Sequence, residues 1–142
     1  MIYTAKTKAA LKLCFDAHKN QTDKGGMPYV FHPFHLAEQM KDEDTTIAAL
    51  LHDVAEDTDY TIADLKQMGF PLNVIEALEL LTHNDDTPYM EYVAKIKENP
   101  IAKVVKLADL EHNSDLSRLD TVDEKALKQK EKYGQAIRLL NK

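Results

Sequence analysis

The chain has 142 residues, a length that fits one domain with a core of its own, and its 18 Lys and Arg against 24 Asp and Glu leave a formal net charge of −6. That acidity sets aside nucleic acid polymers and membrane surfaces as main partners. The scarcity of Gly (4), Pro (5) and Trp (0) argues against a β-sandwich or barrel.

The single Cys14 cannot form an internal disulfide, consistent with a reducing compartment, and it lies in an apolar stripe that predicts core packing. No apolar run approaches a membrane span and the N-terminus does not resemble a signal peptide, so a cytoplasmic protein is expected.

Taken in order, Thr4 to about Asn20 has apolar residues at helical spacing, Ala10, Leu11, Cys14 and Phe15, with His18 on the same face. The polar stretch Gln21 to Tyr29, with Gly25, Gly26 and Pro28, reads as a loop. Pro33 suits the start of the next helix, which places His32 at or just before its N-cap and the helix end near Lys41. Asp44 or Thr45 is expected to cap a long helix that carries Ala48 to Thr58. Thr61 to Asp64 resembles a capping box for a short helix to Met68. Further helices are expected from Asn73 to Thr82 and from Thr87-Pro88 to about Glu98. Another starts at Pro100, although the apolar tail before Asp109 also suits a strand. The last helix runs from Val122 to Leu140, with Ala126, Leu127, Tyr133, Ile137 and Leu140 inward. The expectation is an all-α chain, a single domain over residues 1–142 with about six to eight helices.

Chemistry concentrates in Ala48 to Thr58. On a continuous helix, His52, Asp53, Glu56 and Asp57 fall within roughly 140° of one face. A buried helix face does not gather an imidazole and three carboxylates without a cation, because unpaired buried charge is costly. His32 upstream and Asp109 downstream complete a mixed nitrogen and oxygen donor set suited to manganese, iron or zinc. The alternative for His52 and Asp53 is a hydrogen-bonded buried pair. Glu56 and Asp57 lie one turn on, where carboxylates can orient or deprotonate an attacking water. Their alternative is a solvated acidic helix end, though carboxylates at a helix C-terminus oppose the macrodipole. Asn113 lies one turn past Asp109 and can fix its carboxylate or contact a substrate. Lys24 sits in the glycine loop leading to His32 and is the best placed cation for an anionic substrate. Lys106 and Arg118 are read as solvated charges. His18 is expected to brace core or loop, His35 to support His32 or the fold, and His83 and His112 to be structural or at the surface.

The order of these residues resembles a known family. His18-x-x-Gln21, Lys24-x-Gly26-x-Pro28-Tyr29-x-x-His32-Pro33, Leu50-Leu51-His52-Asp53-x-x-Glu56-Asp57-Thr58 and Lys106-Leu107-Ala108-Asp109-x-x-His112-Asn113 are similar to the motifs of the HD phosphohydrolase superfamily. The nearest branch is the hydrolase domain of RelA/SpoT-type enzymes and the small stand-alone alarmone hydrolases. The resemblance covers about residues 5 to 119. It implies an all-α HD fold and one divalent metal, commonly manganese with zinc, iron or magnesium as alternatives, held by His32, His52, Asp53 and Asp109. It implies that Glu56 and Asp57 act on the attacking water and that Lys24 and Asn113 lie near a nucleotide. The reaction implied is removal of the 3′-pyrophosphate from guanosine tetra- or pentaphosphate, without a synthetase domain. A nucleotidase or NADPH-type phosphatase, and a non-catalytic nucleotide or metal sensor, are the competing expectations. The sequence departs from the family at Asp23, where an arginine that stacks on the base is usual, and at Ser114-Asp115, where a basic residue is common. An acidic residue cannot supply cation stacking and disfavours a nearby phosphate.

Overall fold

Small polar residues in front of each apolar run decide where the helices begin. A computed structural model describes residues 1–142. Thr4 forms a reciprocal capping box with Thr7 and opens α1 (Ala5–His18). The loop that follows is irregular, apart from one antiparallel bridge between Thr22 and Pro28. Next come α2 (Phe31–Glu38), α3 (Glu43–Leu51) and the single turn α4 (Val54–Asp57). Thr61 and Asp64 make the expected capping box of α5 (Ile62–Gln67). Pro71 precedes α6 (Leu72–Leu81) and Pro88 precedes α7 (Tyr89–Lys97). Asn99 caps α8 (Pro100–Asn113), a 3-10 turn spans Leu116–Arg118, and Asp123 caps α9 (Glu124–Leu140). The chain is all-helical, with eight helices of six residues or more and no strand. No helix is long and apolar enough to cross a membrane.

Several local expectations change. The apolar run before Asp109 is helical throughout, because Asn99 and Pro100 start a helix that the run then continues. The cap of α3 is Asp42, whose carboxylate accepts from Thr45 N. His32 lies inside α2, one residue after its start. The long central helix is not continuous: α3 ends at Leu51, and Asp53 (φ −108°, ψ 2°) leaves the helical region before α4 begins. Glu56 and Asp57 therefore sit on a new turn, and the objection from the macrodipole of a long helix does not apply. Leu127 and Phe15 are more than half exposed, and Ala136 takes the inward place on α9.

Helix α3 is the hub. Residues Thr45 to Leu51 are all buried, and the helix packs against α1, α2, α6 and α8. Cys14 is buried in the same core, which pushes its thiol up to about 12. Because Leu51 precedes His52 directly, packing of α3 fixes where His52 emerges. Leu50 is fully buried, and Leu50→Ala is expected to lower stability by about 2–5 kcal/mol, measured by urea unfolding.

Candidate metal centre and adjoining cavity

Four side chains from three parts of the chain meet at one end of α3. His32 comes from α2, His52 and Asp53 from the break between α3 and α4, and Asp109 from α8. One ligand atom of each lies within 4.8 Å of the others. His32, His52 and Asp109 are buried, and Asp53 is half-buried. His32 Nε2 is 2.8 Å from Asp109 Oδ1.

The tautomers follow from the second ring nitrogens. His52 Nδ1 donates to the carbonyl oxygen of Ala49 at 2.7 Å, so a neutral His52 carries its lone pair on Nε2. That Nε2 is buried, 3.0 Å from Asp53 Oδ2 and 3.4 Å from Asp109 Oδ1, and makes no well-aligned hydrogen bond with either. A lone pair facing two carboxylates is repulsive unless a cation lies between them. The pKa directions express the same demand. Burial alone would lower His52, but the charges of Asp53 and Asp109 and their contacts with the ring hold it well above the usual imidazole range. Burial raises Asp109, but Lys106 and the two histidines carry it well below the usual carboxylate range. Two imidazoles and two carboxylates form a donor set that fits a divalent transition metal.

A second ring of contacts orients this set. His32 Nδ1 and His112 Nδ1 are 2.7 Å apart, and the two rings stack within 3° of parallel. With His32 donating, His112 must be neutral, in keeping with burial and the nearby Arg118, which push its pKa down to about 4. His35 stacks on His112 with ring centroids 4.1 Å apart. Tyr29 donates from its hydroxyl to Asp53 Oδ2. Lys106 Nζ donates to Asp109 Oδ2 at 3.0 Å, and Asn113 Nδ2 donates to Asp109 Oδ1 at 3.0 Å. Sequence reasoning took Lys106 for a solvated charge and His112 for a structural or surface residue. Lys106 is half-buried against Asp109 and the face of Tyr92, and its position one turn before Asp109 was the available signal.

Glu56 and Asp57 border the cluster on its open side. With Asp53 they form a second acidic group whose oxygens also lie within 4.8 Å of one another. Both are exposed at their outer edge. Partial desolvation, then repulsion from Asp53 and from each other, raises the pKa of Glu56. Partial desolvation and repulsion from Asp53 raise Asp57. Glu56 Oε1 accepts from His83 N at 3.1 Å, while His83 Nε2 meets the carbonyl of Thr87. Gln21, held by His18 Nδ1 at 2.8 Å, donates to the carbonyl of Asp57 at 2.9 Å, so His18 braces the loop as expected.

Beside the cluster lies a cavity of about 620 Å³, within the size range of small-molecule sites. Lys24, Tyr29, Asn113, Arg118 and Tyr133 are among its lining residues. Lys24 makes no ion pair or hydrogen bond and is exposed toward it. Asn113 lines the cavity while its amide is engaged with Asp109 and Arg118.

The sequence profile of the HD domain matches residues 10–108, a span that includes His32, His52 and Asp53 and stops one residue before Asp109. The chain belongs to the HD-domain family. Membership implies a divalent metal, and His32, His52, Asp53 and Asp109 are the side chains able to hold one. The chain is 36% identical over 123 residues to the bifunctional (p)ppGpp synthase/hydrolase SpoT of Escherichia coli, covering 76% of this chain and 17% of that protein. It is 52% identical over 88 residues to the guanosine-3′,5′-bis(diphosphate) 3′-pyrophosphohydrolase of Vibrio cholerae, covering 59% of this chain and 12% of that protein. The chain therefore spans less than a fifth of these relatives. A solved structure of a metazoan ortholog of SpoT, described as hydrolysing ppGpp, superposes with a TM-score of 0.77 at 26% identity, over 99% of this chain and 88% of that one.

The cavity wall depends on Gly25. A Cβ there would collide with the backbone carbonyl of Arg118, which cannot move without shifting the 3-10 turn. Gly25→Ala is expected to lower stability by roughly 1–3 kcal/mol, seen as a lower urea midpoint, with weaker nucleotide binding in the same sample.

Proposed function

We propose that the chain is a metal-dependent phosphohydrolase acting on guanosine 3′,5′-bis(diphosphate), removing its 3′-pyrophosphate. The observation that carries this reading is the convergence of His32, His52, Asp53 and Asp109 with the acid pair Glu56 and Asp57, next to a cavity of nucleotide size. The activities named for the Vibrio cholerae relative and the metazoan structure support the same substrate. Residues 1–142 are read as one such domain, supported by a single hydrophobic core. The proposed ligands are His32, His52, Asp53 and Asp109, with manganese favoured among manganese, iron, zinc and magnesium by the two-nitrogen, two-oxygen donor set. A cytoplasmic location accords with a free thiol and a nucleotide substrate.

A divalent metal, when bound, supplies Lewis acidity, which lowers the pKa of water and offsets charge on a phosphoryl oxygen. The chain's own residues carry the other roles. His112, Lys106, Asn113 and Tyr29 hold His32, Asp109 and Asp53 in fixed orientations, and the carbonyl of Ala49 holds His52. Glu56, pinned on one oxygen by His83, accepts a proton from the attacking water, and Asp57 shares that proton and orients the water. The water oxygen attacks phosphorus, the bond from phosphorus to the ribose 3′ oxygen breaks, and that oxygen takes up a proton, giving pyrophosphate and guanosine 5′-diphosphate. Lys24 offers an unpaired cation to the phosphates. Hydrolysis of a different nucleotide on the same scaffold is the second reading, favoured by Asp23 in place of a base-stacking arginine.

Glu56 must be ionised to take a proton, and its pKa is raised. Activity should therefore fall as pH drops through a value above the usual one for a glutamate. Glu56→Gln should lower kcat about 10²–10⁴-fold and flatten that acidic limb, read from pH profiles with manganese. A nucleotide panel with manganese, zinc and magnesium tests the substrate. Release of pyrophosphate from the bis(diphosphate) is expected, and turnover of another nucleotide alone would reject the assignment.

A further inference from the structure

Asp23 and Arg118 are 95 residues apart in sequence and meet on the wall of the cavity. Asp23 Oδ1 accepts from Gly25 N at 2.9 Å and Met27 N at 3.0 Å, so the carboxylate first shapes its own loop. Its Oδ2 accepts from Arg118 Nη2 at 3.3 Å. Arg118 Nη1 donates to the carbonyl of His112 at 3.0 Å and to Asn113 Oδ1 at 3.3 Å. The acidic residue at 23 thus brings a guanidinium to the wall instead of leaving it negative.

A guanidinium has five N–H donors. Three acceptors engage Arg118, which leaves Nε–H and one Nη2–H without a partner in a side chain that still reaches the cavity. Gln129 lines the same cavity, and its Oε1 is a buried acceptor with no partner. A brace that only tied the loop to α8 would explain the three bonds of Arg118. It would not explain the orphaned acceptor of Gln129 beside the same cavity, since an unmatched buried polar group is destabilising.

We propose that Arg118, oriented by Asp23, is the base-selecting residue of the cavity, and that with Gln129 it takes guanine in preference to adenine. The inference rests on reading the cavity as a nucleotide site. Guanine presents adjacent O6 and N7 acceptors, which match two arginine donors, and its N1–H and N2–H groups can meet the Gln129 oxygen once that side chain turns into the cavity. Adenine puts an amino group where O6 would be, and that donor faces the donors of Arg118. The fixed partners of Arg118 make the match selective, because Asp23, His112 and Asn113 limit how its plane can turn.

The test is calorimetric titration of the full chain with guanosine 5′-diphosphate and adenosine 5′-diphosphate, alongside kcat and KM on guanosine bis(diphosphate). The wild type should bind the guanosine nucleotide at least about ten-fold more tightly. Arg118→Gln keeps a donor for the neighbouring carbonyls and should erase that preference, raising KM far more than it lowers kcat. Arg118→Lys keeps the charge without the fork and should also lose selectivity. Gln129→Met should weaken guanosine binding and leave adenosine binding unchanged. The inference is overturned if the wild type shows no preference, if Arg118→Gln keeps the wild-type preference, or if it weakens both nucleotides equally while lowering kcat. A wild type that prefers the guanosine nucleotide, loses that preference in Arg118→Gln, and hydrolyses no bis(diphosphate) would reject the hydrolase reading and leave base selection standing.

Discussion

The buried carboxylate of Asp109 is the constraint on which the rest of the site depends. Taking a carboxylate out of water costs several kcal/mol unless its oxygens are matched. Here they are matched by Lys106 and Asn113, with the ring nitrogens of His32 and His52 close by. These partners come from α2, α8 and the end of α3, so one side chain ties three elements of the bundle. The same matching explains why Lys106 is half-buried in a chain whose other lysines are mostly solvated. The remaining demand for positive charge falls on the space between His52, Asp53 and Asp109, where no well-aligned hydrogen bond meets it. A metal is the group that this residual field suits.

From that centre the structure extends in two directions. Toward solvent, the break at His52 and Asp53 turns the chain so that Glu56 and Asp57 face the cluster from a separate turn. Their raised pKa values follow from partial desolvation and from three carboxylates sharing one space, and a raised pKa makes them better proton acceptors. Toward the cavity, Asn113 links Asp109 to Arg118, and Arg118 links to Asp23 in the glycine loop. The proposed ligand cluster and the proposed substrate wall are thus joined by one continuous hydrogen-bonded path, although their residues span most of the chain.

Much of this was legible in the sequence, and the parts that were not share a physical cause. Helix starts at Thr4, Thr61 and Pro100 follow local rules, since caps and prolines act within a few residues. The convergence of His32, His52, Asp53 and Asp109 was legible because their order and spacing resemble an HD domain. Three things were hidden. The break before α4 leaves no mark in composition, because Val54 continues the apolar pattern while the backbone turns at Asp53. The burial of Lys106 depends on an aromatic wall from α7 that periodicity cannot place. Most of all, Asp23 read alone looked like the loss of a cation, and only the fold shows Arg118 arriving beside it. Charge balance across 95 residues is a property of the fold.

The most direct measurement is thermal unfolding of the wild type and of Asp109→Asn, each with a chelator and then with rising manganese. The account predicts that Tm of the wild type climbs with metal concentration, as it must when a ligand binds only the folded state. It predicts that Asp109→Asn, which removes the charge and keeps the shape, shows little or no rise. An equal rise in both proteins, or none in the wild type, would contradict the assignment of His32, His52, Asp53 and Asp109 as a metal centre.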